Sequence, residues 1–182
     1  ASKEGGTYIK DGILRRKEFG AGVELSTVEK LNAKEIVWAT DYVGLRTALK
    51  TAQGDQRNNG DWETSLKALN KTYQDFVKKH GYINEFTVYE KVEKEDGQPL
   101  LDADGNVVKT SHRKFKNKRL LNLDVESPLV QVLETIDENG KIQPSKVLTQ
   151  RSINTPTAPQ LETVFDALNI SLDQTGKINL AH

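Results

Sequence analysis

Apolar side chains recur at steps of three and four along two stretches of the chain. In the first, Ile36, Ala39 and Val43 interleave with Trp38, Tyr42, Leu45 and Leu49 to build one wide apolar face, the signature of a half-buried helix. Asn32 precedes it as a cap, with Glu35 three residues on in the capping-box position. In the second, Trp62, Leu66, Leu69, Tyr73, Phe76 and Val77 follow the N-cap candidate Asp61. Lys78 and Lys79 there complement the helix dipole in the last turn, and Gly81 is placed to end the helix. The spacing predicts helices over about 33–53 and 62–80, separated by the polar, breaker-rich loop 54–60. Two amphipathic helices joined this way form an antiparallel hairpin. Gly44 costs the first helix about 1 kcal/mol relative to Ala and is read as a mark of close packing.

Elsewhere the period shortens and turn residues multiply. Tyr8 to Arg15 reads as a β-hairpin about Asp11-Gly12, a pair suited to a turn with positive φ at both central positions. Gly20 and Gly22 then loosen the chain. Phe86, Val88 and Val92 suggest a strand, and Leu100-Leu101 and Val107-Val108 flank Asp104-Gly105 as a further hairpin. Pro128 splits the apolar block 120–133, which allows a strand end or a helix first turn. Glu138-Asn139-Gly140 is a turn, with Lys146 to Thr149 returning after it. Beyond Pro156 and Pro159, Leu161, Val164, Phe165, Leu168 and Leu172 give a third helical stripe. The expected fold is α+β and helix-rich: the helical hairpin as core, β-hairpins around it, and a C-terminal helix (about 160–172) packing back. Residues 1–155 are expected to form one domain. Residues 156–182 are expected to open a unit that continues past the chain. With no Met anywhere, this leads us to expect a piece of a longer protein.

Composition narrows the function classes. The apolar fraction is 36% and the charged fraction 29%, with mean hydropathy −0.62, so a modest core with solvated ribbons is expected. The 26 basic side chains balance 26 acidic ones, and only a local patch can attract a polyanion. There is no Cys, hence no disulfide or thiolate chemistry, in keeping with a cytoplasmic location. No run approaches the roughly 18 apolar residues of a membrane helix, and no membrane partner is expected.

Candidate chemistry is sparse. Asp102-Ala103-Asp104-Gly105-Asn106 resembles the opening of a calcium loop, but the position that needs a bidentate Glu is Arg113. A hairpin turn is the better reading. His80, His112 and His182 lie far apart, and His80 suits the C-terminal end of a helix dipole. Phosphate-loop and nucleophile-elbow motifs are absent. Asp124 and Glu126 alternate around Val125 and are expected to face solvent together. No carboxylate stands out by an apolar setting, so no catalytic residue, metal, cofactor or small-molecule substrate is expected. The charge cluster of note is 112–119. Within it Arg113, Lys114, Lys116, Lys118 and Arg119 can engage phosphates and Phe115 can stack on a base. Its bland counterpart is a solvated strand or loop whose lysines resist edge pairing.

Three strings carry a family resemblance: Leu69 to Asn84, with Tyr-x-x-Phe-Val-Lys-Lys-x-Gly-x-Ile-Asn at its centre; Ser127 to Glu134 followed by Lys146 to Ile153; and Asp166 to Leu180. In this order they resemble the intermediate region of very large phage and mobile-element proteins that join an adenine-specific DNA methyltransferase to a Swi/Snf-type helicase. The defence-against-restriction B proteins of phages, which have an antirestriction role, belong to this group. Tyr8 to Leu14 resembles the short hairpin that precedes the helices there. Residues from about 85 to 119 look like an insertion relative to that family. The resemblance implies a connecting, DNA-engaging domain whose partners are DNA and the flanking domains of the same polypeptide, with catalysis elsewhere. A protein–protein scaffold module without nucleic-acid contact is the alternative expectation.

Overall fold

A computed structural model of the chain describes residues 3–91, 98–99, 101–108 and 110–154. The C-terminal helix expected at about 160–172, and the whole segment 156–182, lie outside the described residues. What is described is α+β and helix-rich.

The chain opens with an antiparallel sheet of β1 (Thr7–Lys10), β2 (Ile13–Glu18) and β3 (Ala21–Glu24) in the order β1-β2-β3. Lys10 pairs with Ile13 and Glu18 with Ala21, so β2 begins and ends on a two-residue turn. The first is Asp11-Gly12, as the sequence predicts. The second is Phe19-Gly20, where the sequence predicts loosened chain about Gly20 and Gly22 and the structure instead turns into a third strand. Both turns carry positive φ at both central positions: 53° and 74° at Asp11 and Gly12, 50° and 79° at Phe19 and Gly20. Asp tolerates that conformation; for Phe it costs roughly 1–2 kcal/mol. The Glu4 carboxylate holds the second turn by accepting from the backbone N–H groups of Phe19 and Gly20.

After a single turn, α1 (Leu25–Val28), comes the hairpin of α2 (Ala33–Arg57) and α3 (Trp62–His80). Asn32 and Glu35 make the reciprocal capping box, with hydrogen bonds of 3.0 and 2.9 Å. Asp61 caps α3 through Thr64 N, and Gly81 ends it at φ 81°. The apolar faces close on each other: Leu45, Leu49 and Leu69 are fully buried, and Trp38 stacks on Tyr42 and meets Phe76 edge-on. Two expectations fail here. Helix α2 runs through Gly54 to Arg57, leaving a shorter loop. It is held to the end by Gln56, whose buried side-chain oxygen accepts from the backbone N–H groups of Ser152 and Ile153 at 2.9 Å each. Gly44 marks no close packing, because it is exposed and a Cβ there would meet nothing within 4 Å.

Beyond the hairpin, β4 (Phe86–Lys91) pairs antiparallel with β5 (Thr110–Phe115), so the basic stretch is half strand. A bridge between Leu101 and Val107 closes a turn between them. Two short helices follow, α4 (Lys118–Leu121) and α5 (Ser127–Gln131), the second opening with Pro128 in its first turn. The β6 (Glu134–Ile136) and β7 (Ile142–Pro144) hairpin then turns about Asn139-Gly140. The returning strand is therefore 142–144, and Lys146–Leu148 instead forms a 3-10 turn, capped by Thr149, that buries Leu148 against α3. Leu14 of the first sheet, Leu121, Leu123, Val130, Leu133 and Leu148 complete the core around the hairpin.

Candidate nucleic-acid interface

The base of the β4–β5 ribbon is fixed before its charges are placed. Asn117, buried, donates from its side chain to the backbone oxygens of Tyr82 and Ile83 at 3.0 Å. Lys116 N donates to Glu85 O at 2.8 Å. Leu121 sinks into the core and holds α4, which leaves Lys118 and Arg119 on the outside. Between this ribbon and β2 lies an open groove of about 1210 Å³. Arg113, Lys114, Phe115, Lys116, Lys118 and Arg119 all line it, joined by Arg16, Glu29, Thr87 and Tyr89. Sequence clustering thus becomes spatial clustering, with Glu29 the acidic member of the lining.

The six are not equivalent. Arg16 is tied to Glu18 and, at 2.9 Å, to Glu29. Lys116 pairs with Glu85 at 2.8 Å, and Arg119 grips Glu35 while donating to Glu29 O at 2.9 Å. The Lys116 and Arg119 pairs, whose cations are exposed, exchange cheaply for a phosphate, since each is worth no more than about 1 kcal/mol; the Arg16 pairs are half-buried. Lys114 and Lys118 have no carboxylate partner among the described residues. Strand alternation then divides the rest. Thr87 faces Lys114 and Tyr89 faces His112 on one side of the ribbon; Phe86 faces Phe115 and Val88 faces Arg113 on the other.

That division changes the role expected of Phe115. Its ring lies 5.7 Å from Phe86, and the Arg113 guanidinium sits 4.8 Å over the Phe86 ring. Phe115 and Arg113 are thereby engaged with their own ribbon. Tyr89, on the other side of the ribbon, also stacks on a neighbour, His112, at 5.6 Å with 28° between planes, but it is the more exposed ring, 50% against 36% for Phe115. Tyr89 and Arg16 were not singled out from the sequence. A strand over 86–92 is legible, but its pairing register, which puts Tyr89 beside Lys114, is not.

The acidic residues depart furthest from expectation. Asp124 and Glu126 do not face solvent; they are 2% and 4% exposed. Asp124 accepts from Tyr42 OH at 2.7 Å, from Arg46 and from Thr7 N at 3.2 Å. Glu126 pairs with Lys50 at 2.6 Å and lies 3.5 Å from Arg46. Burial first, and the hydrogen bond to Asp124 second, push the Tyr42 hydroxyl well above its ordinary range. Glu134 is a second buried acid: it accepts from Ile83 N and Asn84 N at 2.8 Å and Tyr73 OH at 3.2 Å. Burial raises its carboxyl, against the pull of those backbone donors. None of the three lines the basic groove; they join distant segments. His80 likewise has a partner beyond the helix dipole, Asp41 at 2.7 Å. Lys79 and His80 together hold the Asp41 carboxyl below its ordinary range, against the opposing effect of burial.

The Asp102 loop is an Asx-type turn. Its carboxylate accepts from Asp104 N and Asn106 N at 2.9 and 2.8 Å, and the Asn106 N–H does most to hold the carboxyl below its usual range. No cluster of three or more metal-ligating side chains occurs among the described residues. No helix among them is long and apolar enough to cross a membrane. Comparison with known protein families, with curated proteins and with solved structures finds no match.

Proposed function

We propose that this chain is a non-catalytic, DNA-engaging module that connects other parts of a large DNA-modifying polypeptide, of the phage or mobile-element methyltransferase–helicase type, in the cytoplasm. The observation that carries the DNA contact is the groove. It gathers Arg113, Lys114, Lys116, Lys118, Arg119 and Arg16 around one lining carboxylate in a chain with no net charge. A concave cationic strip of this kind follows a phosphate backbone, with Lys114 and Lys118 ready to displace counterions. Tyr89 adds a flat surface for a base.

The connecting role draws on a different set of residues. The strings that resemble the methyltransferase–helicase family, where they are described, meet in the frame: Tyr73, Ile83 and Asn84 on Glu134, and Asn84 on Gln131 O at 2.8 Å. They do so away from the groove, as parts of a rigid support would. The alternative, a scaffold docking through the helical hairpin, is less well served. The apolar faces of α2 and α3 are already buried within the chain.

Fluorescence anisotropy with labelled single-stranded and duplex oligonucleotides tests the reading. Binding at low salt that weakens steeply as salt rises, and weakens further in Lys114→Ala and Lys118→Ala, is the expected result. No binding at low salt refutes it.

A further inference from the structure

The tip of the β2–β3 hairpin carries a side chain that the fold does not use. Phe19 is fully exposed. A single exposed hydrophobe is ordinary in itself, but this one sits where the backbone disfavours it. Its turn repeats the geometry of Asp11-Gly12 at the other end of β2, with φ 50° against 53° at the first position, and Asp, Asn or Gly would occupy it more easily. The tip is also held in place, since Glu4 accepts from the N–H groups of both Phe19 and Gly20. A rigid turn, a disfavoured backbone and an unburied ring are a combination seen where a side chain is presented for contact.

Its surroundings indicate what it contacts. Phe19 follows Arg15-Arg16-Lys17-Glu18 on β2, three cations to one carboxylate; Glu18 is bound to Arg16, and Arg16 lines the basic groove. Three residues of strand place the tip about 10 Å from that edge. A basic flank favours a polyanion over a nonpolar protein surface, and the flat apolar group that a nucleic acid offers is an unpaired base. We infer that Phe19 is a stacking wedge for an unpaired base of a strand whose backbone runs in the groove, and that the ligand is single-stranded or locally opened DNA. This rests on the groove binding DNA.

Phe19→Trp reads the contact directly. With the wild-type emission of Trp38 and Trp62 subtracted, its fluorescence is quenched by a single-stranded oligonucleotide at low salt and much less by a duplex with closed ends. Phe19→Asn relieves the turn, so it unfolds at higher denaturant than the wild type, yet it binds single strands about 5- to 100-fold more weakly. Unchanged affinity in Phe19→Asn, while Lys114→Ala and Lys118→Ala still weaken binding, overturns the wedge and leaves the groove standing. No binding by the wild type removes both. If Phe19→Asn alters only self-association in sedimentation, the ring is a protein contact and the inference is overturned.

Discussion

Arg46 of α2 and Asp124 form an ion pair, 78 residues apart in sequence, sealed between the first sheet and the helical hairpin. Arg46 also donates to the backbone oxygen of Thr7, while Asp124 accepts from Thr7 N. One pair thus fastens β1 to α2 and to the turn before α5. Removing one partner of a buried pair costs roughly 3–5 kcal/mol when the other charge is left unpaired; here Glu126, 3.5 Å from Arg46, keeps part of the compensation, which puts the loss toward the lower end. Asp124→Asn is expected to lose about that much in urea unfolding. Native-state hydrogen exchange should show the Thr7 amide losing its protection before the α2–α3 core does. Equal protection of the two regions in the variant would show that the sheet does not depend on this pair.

Glu134 sets a pH dependence. A carboxyl raised by burial binds its proton more firmly in the folded chain than in the unfolded one. That contribution is fully present below the unfolded value and is lost as pH rises through the raised one. The stability of the wild type relative to Glu134→Gln should therefore decline as pH climbs from about 4.5, the ordinary value. The variant itself should be less stable by about 1–3 kcal/mol, because its amide nitrogen cannot accept from Ile83 N or Asn84 N. Thermal midpoints of both proteins across this range check the sign. A constant difference would mean that Glu134 titrates normally.

Two glycines of the hairpin should respond oppositely. Gly44→Ala, in an exposed helix interior with open space around it, is expected to stabilise by up to about 1 kcal/mol. Gly81→Ala places a Cβ 2.8 Å from the Glu85 carboxylate at φ +81° and should cost about 1 kcal/mol or more. Urea midpoints at constant slope separate the two outcomes.

These contrasts show where sequence reading succeeds. The caps at Asn32-Glu35 and Asp61, the stop at Gly81 and the turn at Asp11-Gly12 are local chemistry, decided within four residues, and all are formed. The Phe19-Gly20 turn escapes because Phe is not a turn residue, and its geometry is imposed by strand pairing and by Glu4. The solvent assignment of Asp124 and Glu126 fails because their partners, Arg46 and Lys50, are 78 and 76 residues away. Helix α2 outlasts Gly54 for the same kind of reason, since Gln56 is held by Ser152 and Ile153. The basic cluster was legible as composition. Its face, and the company of Tyr89 and Arg16, came only with the β4–β5 register.

The central claim is that the groove binds a phosphate backbone through Lys114 and Lys118. The most direct measurement is the slope of log affinity against log salt for single-stranded DNA, in the wild type and in the Lys114→Ala/Lys118→Ala double variant. Two lost phosphate contacts should make the slope shallower by about 1.4, at roughly 0.7 per contact, with weaker binding at every salt concentration. An identical slope and affinity in the double variant would contradict the account.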